Sequence, residues 1–428
     1  MSERRRSMLL AVLCAGMVNA HAQPGAPLPE SVDLPAVLRL VREVSPRLAL
    51  ERQAVAGAEA GVTVAGALPN PVVSYGRLRP SGGQATLFEG SRQEAGAIEL
   101  PLLIAGQRAA RVDKAERELE AARARVASGA SSLAAEASSA FVALLAAQEK
   151  TVLLAAATDE LVRLRDIVAG REASGMASRY DLLRLEVELT GTRTKLELAR
   201  ADVSDRSGNL AALLGLQDWR PKAAGSLSPL TLAPGALDRV RERAPDSPAI
   251  VLANREQEVA QSAVELAHRE RWPVPSVNAG RSWTSDPFGA ANFLGLSVEV
   301  PIFDSKRGQL AKAESEAKAA ALRRELAVAE VGANLERYAA VIAARQAALQ
   351  GFERETAARL EALGSMAEDA YRLGRATIFE LLDSTRSRQE LRQTRIDLVA
   401  GVLEAQLRFL ATRGDLERSV GAGGPAGR

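Results

Sequence analysis

Cysteine is nearly missing from this chain of 428 residues. The single one, Cys14, lies in an N-terminal apolar run that reads as a leader, so the mature chain is expected to carry neither thiol nor disulfide. Beyond that leader, histidine is limited to His268 and methionine to Met176 and Met366. No imidazole, thiolate or thioether cluster can be assembled from so few, which excludes a transition-metal centre and leaves no cofactor to expect; His268 reads as a helix-surface residue. No pairing of nucleophile with base, no phosphate-binding glycine loop and no zinc signature is present, so an enzyme has nothing to rest on. Aromatics make up only 4% of the residues. Alanine takes their place, as suits long thin helices packed through small side chains better than one large globular core.

Charge of one sign is also lacking. The formal net charge is +2, and removing a leader that holds Arg4, Arg5, Arg6 and Glu3 brings it to zero. A neutral mature chain gives no basic surface for nucleic acid. The leader itself runs from the three arginines through Met8 to Val18 and ends in Ala20-His21-Ala22, a small-x-small site that predicts cleavage before Gln23. Leu13 precedes Cys14 where a lipoprotein signal needs a small residue, so no lipid anchor is expected. Past residue 22 no apolar stretch of about 18 residues stands out, and no transmembrane helix is expected.

What the chain does have is a duplication. Leu68-Pro69-Asn70-Pro71 and the residues to Gly76 are answered by Trp272 through Gly280; Ile98-Glu99-Leu100-Pro101-Leu102 by Val298-Glu299-Val300-Pro301-Ile302; Gly175 through Leu183 by Gly374 through Leu382. Two structural repeats follow, 23–217 and 235–418, joined by a Pro/Gly/Ser-rich linker at 218–234 and followed by a disordered tail at 419–428. In the first repeat, Val112, Ala115, Leu119, Ala122, Val126, Ala130, Leu133, Ala137, Ala140 and Leu144 recur in steps of three and four, which predicts one helix over about 106–169. Some 65 helical residues reach about 100 Å. The second repeat predicts its counterpart over about 306–372, and return helices follow each glycine-bearing turn, over about 179–216 and 377–416. Shorter helices, 34–65 and 237–270, precede the strands, each with a proline near its middle, Pro46 and Pro248.

Strands are predicted over about 71–79, 93–100, 275–284 and 292–300. The last alternates best, with Leu294, Leu296, Val298 and Val300 on one face and Phe293, Gly295, Ser297 and Glu299 on the other. Such a pattern over about ten residues marks a transmembrane β-strand, although soluble strands alternate too. Arg281 sits awkwardly on the expected lipid face with Val277, Ala279 and Trp283. Four strands cannot close a barrel, and an open sheet edge in lipid leaves unpaired backbone groups at several kcal/mol each. Copies must therefore associate, and three would supply twelve strands, enough for a lumen.

This order of helix, strand pair, long helix, tip turn and return helix, repeated, resembles the TolC-like outer membrane factors of tripartite efflux pumps, the outer membrane efflux protein family. Local runs resemble its heavy-metal branch, the CzcC-like proteins: Leu68-Pro69-Asn70-Pro71; Leu100-Pro101-Leu102 with Gly106-Gln107-Arg108 and Arg111; and Val300-Pro301-Ile302-Phe303-Asp304 with Arg307-Gly308. The resemblance implies a mainly α fold with a small β part: a homotrimer in the outer membrane of a Gram-negative bacterium, with a 12-stranded transmembrane β-barrel and an α-helical tunnel in the periplasm. It implies as partners a periplasmic adaptor and an inner-membrane RND-type pump, with heavy-metal cations as cargo and selection left to the pump. By resemblance, Gly175, Gly374, Tyr371 and Arg375 at the tip turns are adaptor-docking elements, and Glu380, Asp383 and Asp181 form a periplasmic gate. The two glycines also read as plain helix terminators, and Asp181 as a first-turn acid explained by capping and the helix dipole. Ala376 stands where the family carries a basic gate residue, with Arg375 beside it. Two rivals remain open: a duct for drugs or secreted proteins, and a soluble periplasmic coiled-coil scaffold.

Overall fold

A computed structural model describes residues 28–79, 93–232, 235, 237, 244–284 and 289–421. The leader lies outside these, as do the last seven residues.

The chain begins with β1 (Ser31–Val32), α1 (Leu34–Val44) and α2 (Pro46–Gly66). The helix expected over 34–65 is thus two, because Pro46 has no N–H to give and instead starts α2 as its first residue. Strands β2 (Val72–Leu78) and β3 (Gln93–Pro101) lead into α3 (Gln107–Ala173), 67 residues without a break; α4 (Arg179–Leu214) returns. After β4 (Lys222–Ala223) and a single 3-10 turn at 244–246, the pattern repeats. It runs α5 (Pro248–Glu270), β5 (Pro275–Thr284), β6 (Ala290–Val298), α6 (Arg307–Arg372), α7 (Ile378–Arg413) and α8 (Leu416–Gly421).

The helix expected over 237–270 therefore starts at Pro248, for the same reason as α2. The last strand ends at Val298, two residues short, leaving Glu299 and Val300 in the exit to α6. The segment read as a plain linker is pinned: β4 pairs in parallel with β1, Trp219 is buried and donates Nε1–H to the Pro29 carbonyl at 2.9 Å, and buried Gln406 holds Leu230 through both its N–H and its C=O. Residues 419–421 are helical rather than tail, since Leu416 and Val420 bury their side chains in the core. One 18-residue window of α3 is apolar enough to cross a membrane by composition, contrary to expectation; 44% of it is buried, and α3 supplies Leu133, Ala137, Phe141 and Leu144 to the main core.

The sheet order is β2-β3-β5-β6, all antiparallel. Below it, α2 packs on α3, α3 on α5 and α5 on α6, so each strand continues into the helix attached to it and the neighbour order is preserved. Further down, α4 takes the place of α2 beside α3, and α7 that of α5 between α3 and α6. The helical layer thus has four columns: α2 then α4, α3, α5 then α7, and α6.

The stacked columns meet where glycine faces proline. Gly215 (φ +71°) ends α4 so close to Pro46 that an added Cβ would lie 2.8 Å from the ring, and Gly414 (φ +82°) ends α7 with Pro248 at 3.0 Å. Leu216 donates to the Ala211 carbonyl at 2.9 Å and Asp415 to that of Leu410 at 2.8 Å, so both helix ends are closed by the same reversal. A glycine that terminates one helix and a proline that starts the next let two helices abut with no side chain between them.

Candidate functional site

Two regions bear on function: the faces of the sheet and the turns at the far end of the helices.

Pairing fixes which sheet residues share a face. Val73 stands opposite Ile98, Ile98 opposite Ala279 and Ala279 opposite Leu294; the next row toward the helices is Leu100, Val277 and Leu296. The opposite face carries Ser74, Gly76, Ala95, Ala97, Glu99, Asn278, Ser282, Gly295 and Ser297, interrupted by Val72, Leu78 and Phe293. Phe293 packs against Gly280, where an added Cβ would collide with the ring and with the Gly96 carbonyl. On the apolar face Val73, Leu294 and Leu296 are each at least 70% exposed, the kind of apolar surface that marks a protein–protein or membrane contact. Strands β2 and β3, which alternate less well than the last strand, take their face from this register rather than from their own alternation.

At the far tip the two turns are built alike. Met176 and Ala177 both donate to the Arg171 carbonyl, at 2.7 and 3.2 Å; Arg375 and Ala376 both donate to that of Ala370, at 2.8 and 3.2 Å. Gly175 (φ +74°) and Gly374 (φ +70°) make the reversal, exposed and with open space or only an arginine end near them. Each return helix then starts with a capping box. Ser178 Oγ accepts from Asp181 N at 3.1 Å while Asp181 Oδ2 accepts from Ser178 N at 3.0 Å. Thr377 Oγ1 accepts from Glu380 N at 3.3 Å, and Glu380 Oε2 accepts from Thr377 N at 2.6 Å. The S-x-x-D and T-x-x-E spacing is that of this motif. Asp181 and Glu380 therefore have a local structural task, while Asp383, one turn on, is exposed.

Of the tip residues expected to face a partner, Gly175, Gly374 and Arg375 are exposed, whereas Tyr371 is only 6% exposed. Its ring joins Leu161, Leu164, Val168, Leu185, Leu189, Ile378 and Leu381 in a second core, with the Arg171 guanidinium 5.3 Å from its centroid. Tyr371 thus supports the turn from behind instead of being presented on it, because its place in the last turn of α6 faces α3 and α4. Arg171 also reaches across to donate to the Arg372 carbonyl at 2.6 Å, tying the two turns together. Burial, and then the charge of Asp181, push the Tyr371 phenol above its ordinary range, opposed by Arg171.

Residues that sequence reading missed join the repeats just above the tip. Arg386 on α7 donates Nε to Glu188 Oε1 on α4 at 2.9 Å, with a second contact through Nη2, and Arg388 pairs with Glu160 on α3. A charge at such sequence distance has no local signal. Hydrogen bonding by Arg386 holds the Glu188 carboxyl below the ordinary range, as the Thr377 backbone N–H does for Glu380. A carboxyl whose folded pKa is lowered stabilises above its unfolded value and loses that contribution as pH falls through the folded one. Hydrogen exchange at the tip, corrected for its intrinsic pH dependence, should therefore accelerate in acid, below about pH 4.5. Glu188→Gln should flatten that rise, and an unchanged slope would remove Glu188 from the explanation. Among the described residues no group of three or more His, Cys, Asp or Glu is placed to hold a metal ion.

An apolar-faced sheet that runs column by column into a helical layer about 100 Å long is the fold of TolC-like channel subunits. Residues 37–216 match the family described as outer membrane efflux protein. The chain is 25% identical over 282 residues to the cobalt-zinc-cadmium resistance protein CzcC of Cupriavidus metallidurans, covering 65% of each chain. It is 30% identical over 270 residues to the nickel-cobalt-cadmium resistance protein NccC of Alcaligenes xylosoxydans xylosoxydans, covering 61% of this chain and 57% of that one. The matches thus span less than two thirds of the length of these two relatives. The crystal structure of CusC, described as showing transmembrane channel formation, superposes with a TM-score of 0.75 at 15% identity, over 92% of this chain and 98% of that one. Residues 37–216 thus match the outer membrane efflux protein family, and the described chain has the fold of solved outer-membrane channels.

Proposed function

We propose that three copies of this chain form the passive exit duct of a tripartite efflux system, through which an inner-membrane RND-type pump and a periplasmic adaptor discharge heavy-metal cations. The observation that carries the reading is the pair of open edges. Among the described residues β2 and β6 each have one side without a partner strand, and the outer columns expose apolar side chains, Leu183, Val187 and Leu198 on α4 and Leu322, Leu326 and Leu363 on α6. Unlike edges that must meet each other generate a ring when the rotation closes. The sheet face, apolar outward and small or polar inward, suits a barrel wall with an aqueous lumen. No catalytic step is assigned; the energy comes from the pump. Metal cargo is supported by the relatives named for cobalt, zinc, cadmium and nickel resistance. Sedimentation of the detergent-extracted protein tests the assembly: a trimer mass is expected, and a stable monomer would refute the reading. Deletion of the gene should sensitise cells to cobalt, zinc, nickel or cadmium salts, and sensitisation to drugs alone would transfer the cargo assignment to them.

Within that duct, Glu380 and Asp383 lie three residues apart on the exposed face of α7 and would repeat as rings of like charge in a threefold assembly. Replacing both by Ala should raise single-channel conductance in a planar bilayer, with an adaptor docking at the exposed Gly175, Gly374 and Arg375 as the natural opener. An intact trimer of unchanged conductance would exclude these acids from the gate. Thr377→Ala, which weakens the cap but keeps the charge, separates helix fraying from loss of the ring.

A further inference from the structure

Arg281 lies on the apolar face of a central strand, where lipid should be. Its cross-strand neighbours on that face are Gly96 on β3 and Asn292 on β6, with Tyr75 one strand beyond Gly96. The next row outward, away from the helices, holds Arg77, Glu94 and Trp283. The Arg281 guanidinium sits 5.8 Å from the centroid of the Trp283 ring, and that ring reaches over Gly96, whose missing side chain leaves room for it. Arg77 Nε is 3.2 Å from Glu94 Oε1, so those two charges offset each other. Among the described residues no carboxylate forms an ion pair with Arg281, so none of them offsets its charge.

The depth of this cluster follows from a second tryptophan. Trp272, 63% exposed, precedes β5 at the helix end, in line with exposed Leu68, Ile104, Ile302 and Phe303 in the other three strand–helix connections. Eleven residues at about 3.3 Å and a tilt of about 40° separate the Trp272 and Trp283 levels by about 28 Å, close to the ~25 Å apolar band that aromatic girdles flank in outer-membrane barrels. The connections thus complete the lower half of the band, and Trp283 marks the upper boundary. Arg281, two residues below, is long enough to carry its guanidinium to that boundary, as long cationic side chains do.

We infer that Arg281, backed by Trp283 and flanked by Tyr75 and Asn292, binds a phosphate of the phosphorylated glycolipid of the outer leaflet. A guanidinium matches phosphate oxygens in bidentate fashion, and stacking on an aromatic leaves its N–H groups free to do so. The occupant is a lipid rather than a neighbouring copy, because β5 is flanked on both sides by strands of its own chain. It is an outer-leaflet lipid because the site is at the end of the sheet opposite the helices. The inference rests on the outer-membrane reading.

Native mass spectrometry of the full-length protein in detergent, titrated separately with phosphorylated lipid A, dephosphorylated lipid A and phosphatidylglycerol, tests it. Retention should favour phosphorylated lipid A, and Arg281→Leu should lower that retention about tenfold, equivalent to about 1.4 kcal/mol. Arg281→Lys should lie between. Equal retention of the dephosphorylated lipid by the unaltered protein, or no loss in the Leu variant, overturns the assignment; preference for phosphatidylglycerol moves the site to a phospholipid headgroup and overturns it equally. The lipid comparison on unaltered protein decides even if the Leu variant fails to assemble. Failure of the membrane reading has a different signature: in the Trp219→Phe/Trp272→Phe protein, Trp283 emission would then resist quenching by brominated lipid in vesicles.

Discussion

Gly215→Val is expected to be among the most damaging single substitutions in the chain, although the residue belongs to no core. Two costs combine. A β-branched residue at φ +71° pays roughly 1–2 kcal/mol for the left-handed backbone. Its Cβ would also lie 2.8 Å from two ring carbons of Pro46, and relieving that overlap costs about 1–3 kcal/mol. A total of about 2–5 kcal/mol is a large share of the stability of an ordinary domain. The displacement is not local, because α4 and α2 meet there along one side of α3 and a shift of either tilts the column that carries β2. Gly414→Val, against Pro248 at 3.0 Å, should behave as its twin. Gly170→Ala is the control: it lies inside α3 without positive φ and with nothing within 4 Å of an added methyl, and should leave stability unchanged or raise it by up to ~1 kcal/mol. Thermal loss of helical circular dichroism in detergent ranks the three. If Gly215→Val melts with the Gly170→Ala protein, the abutment of columns is not a structural joint.

How much of this was legible follows from how many neighbours each element has. On α6, an edge column with helices on one side only, a single seam is buried: Ala313, Ala320, Leu335, Ile342 and Leu349 are covered while Leu322, Leu326 and Leu363 are not. A seam of that kind is what steps of three and four mark. On α3 the same steps found Ala115, Ala122, Leu133, Ala137 and Leu144, yet Ala121, Ala124, Ala134, Phe141 and Leu145 are buried as well. A heptad accounts for one partner, and α3 lies between two columns. The duplication likewise located all four strands and both tip glycines, since repetition needs no knowledge of packing. It could not reveal that Gly215 and Gly414 face Pro46 and Pro248, residues some 170 positions away, although the prolines were seen and read as mid-helix kinks.

The candidate site divides on the same principle. Asp181 and Glu380 could be placed at helix starts because capping is a contact over three residues. Arg386 with Glu188, and Arg388 with Glu160, join elements about 200 positions apart, and nothing along the chain distinguishes these arginines from the many on solvated faces. Arg281 was visible as an exception to the alternation, but its resolution required the register that brings Gly96 and Trp283 beside it.

Tyr371 separates a supporting role from a docking role by two substitutions with opposite outcomes. Tyr371→Ala removes an aromatic ring that is 6% exposed from the small core at the tip and is expected to cost about 3–5 kcal/mol of local stability. It also leaves the Arg171 guanidinium without the ring it rests on, so the cross-tip bond to the Arg372 carbonyl loses its positioning. Hydrogen exchange of the amides at 171–177 and 370–376 should accelerate at least a hundredfold, and protease should gain access to both turns. Tyr371→Phe keeps the ring and deletes a buried hydroxyl that has no hydrogen-bond partner among the described residues. Removing an unpaired buried polar group is neutral or stabilising, by up to about 1 kcal/mol. Exchange at the tip should therefore be unchanged or slower in the Phe protein. Should the Phe variant instead loosen the assembled tip as the Ala variant does, the hydroxyl must bond across to another copy of the chain, and Tyr371 would be a contact between protomers rather than a prop within one.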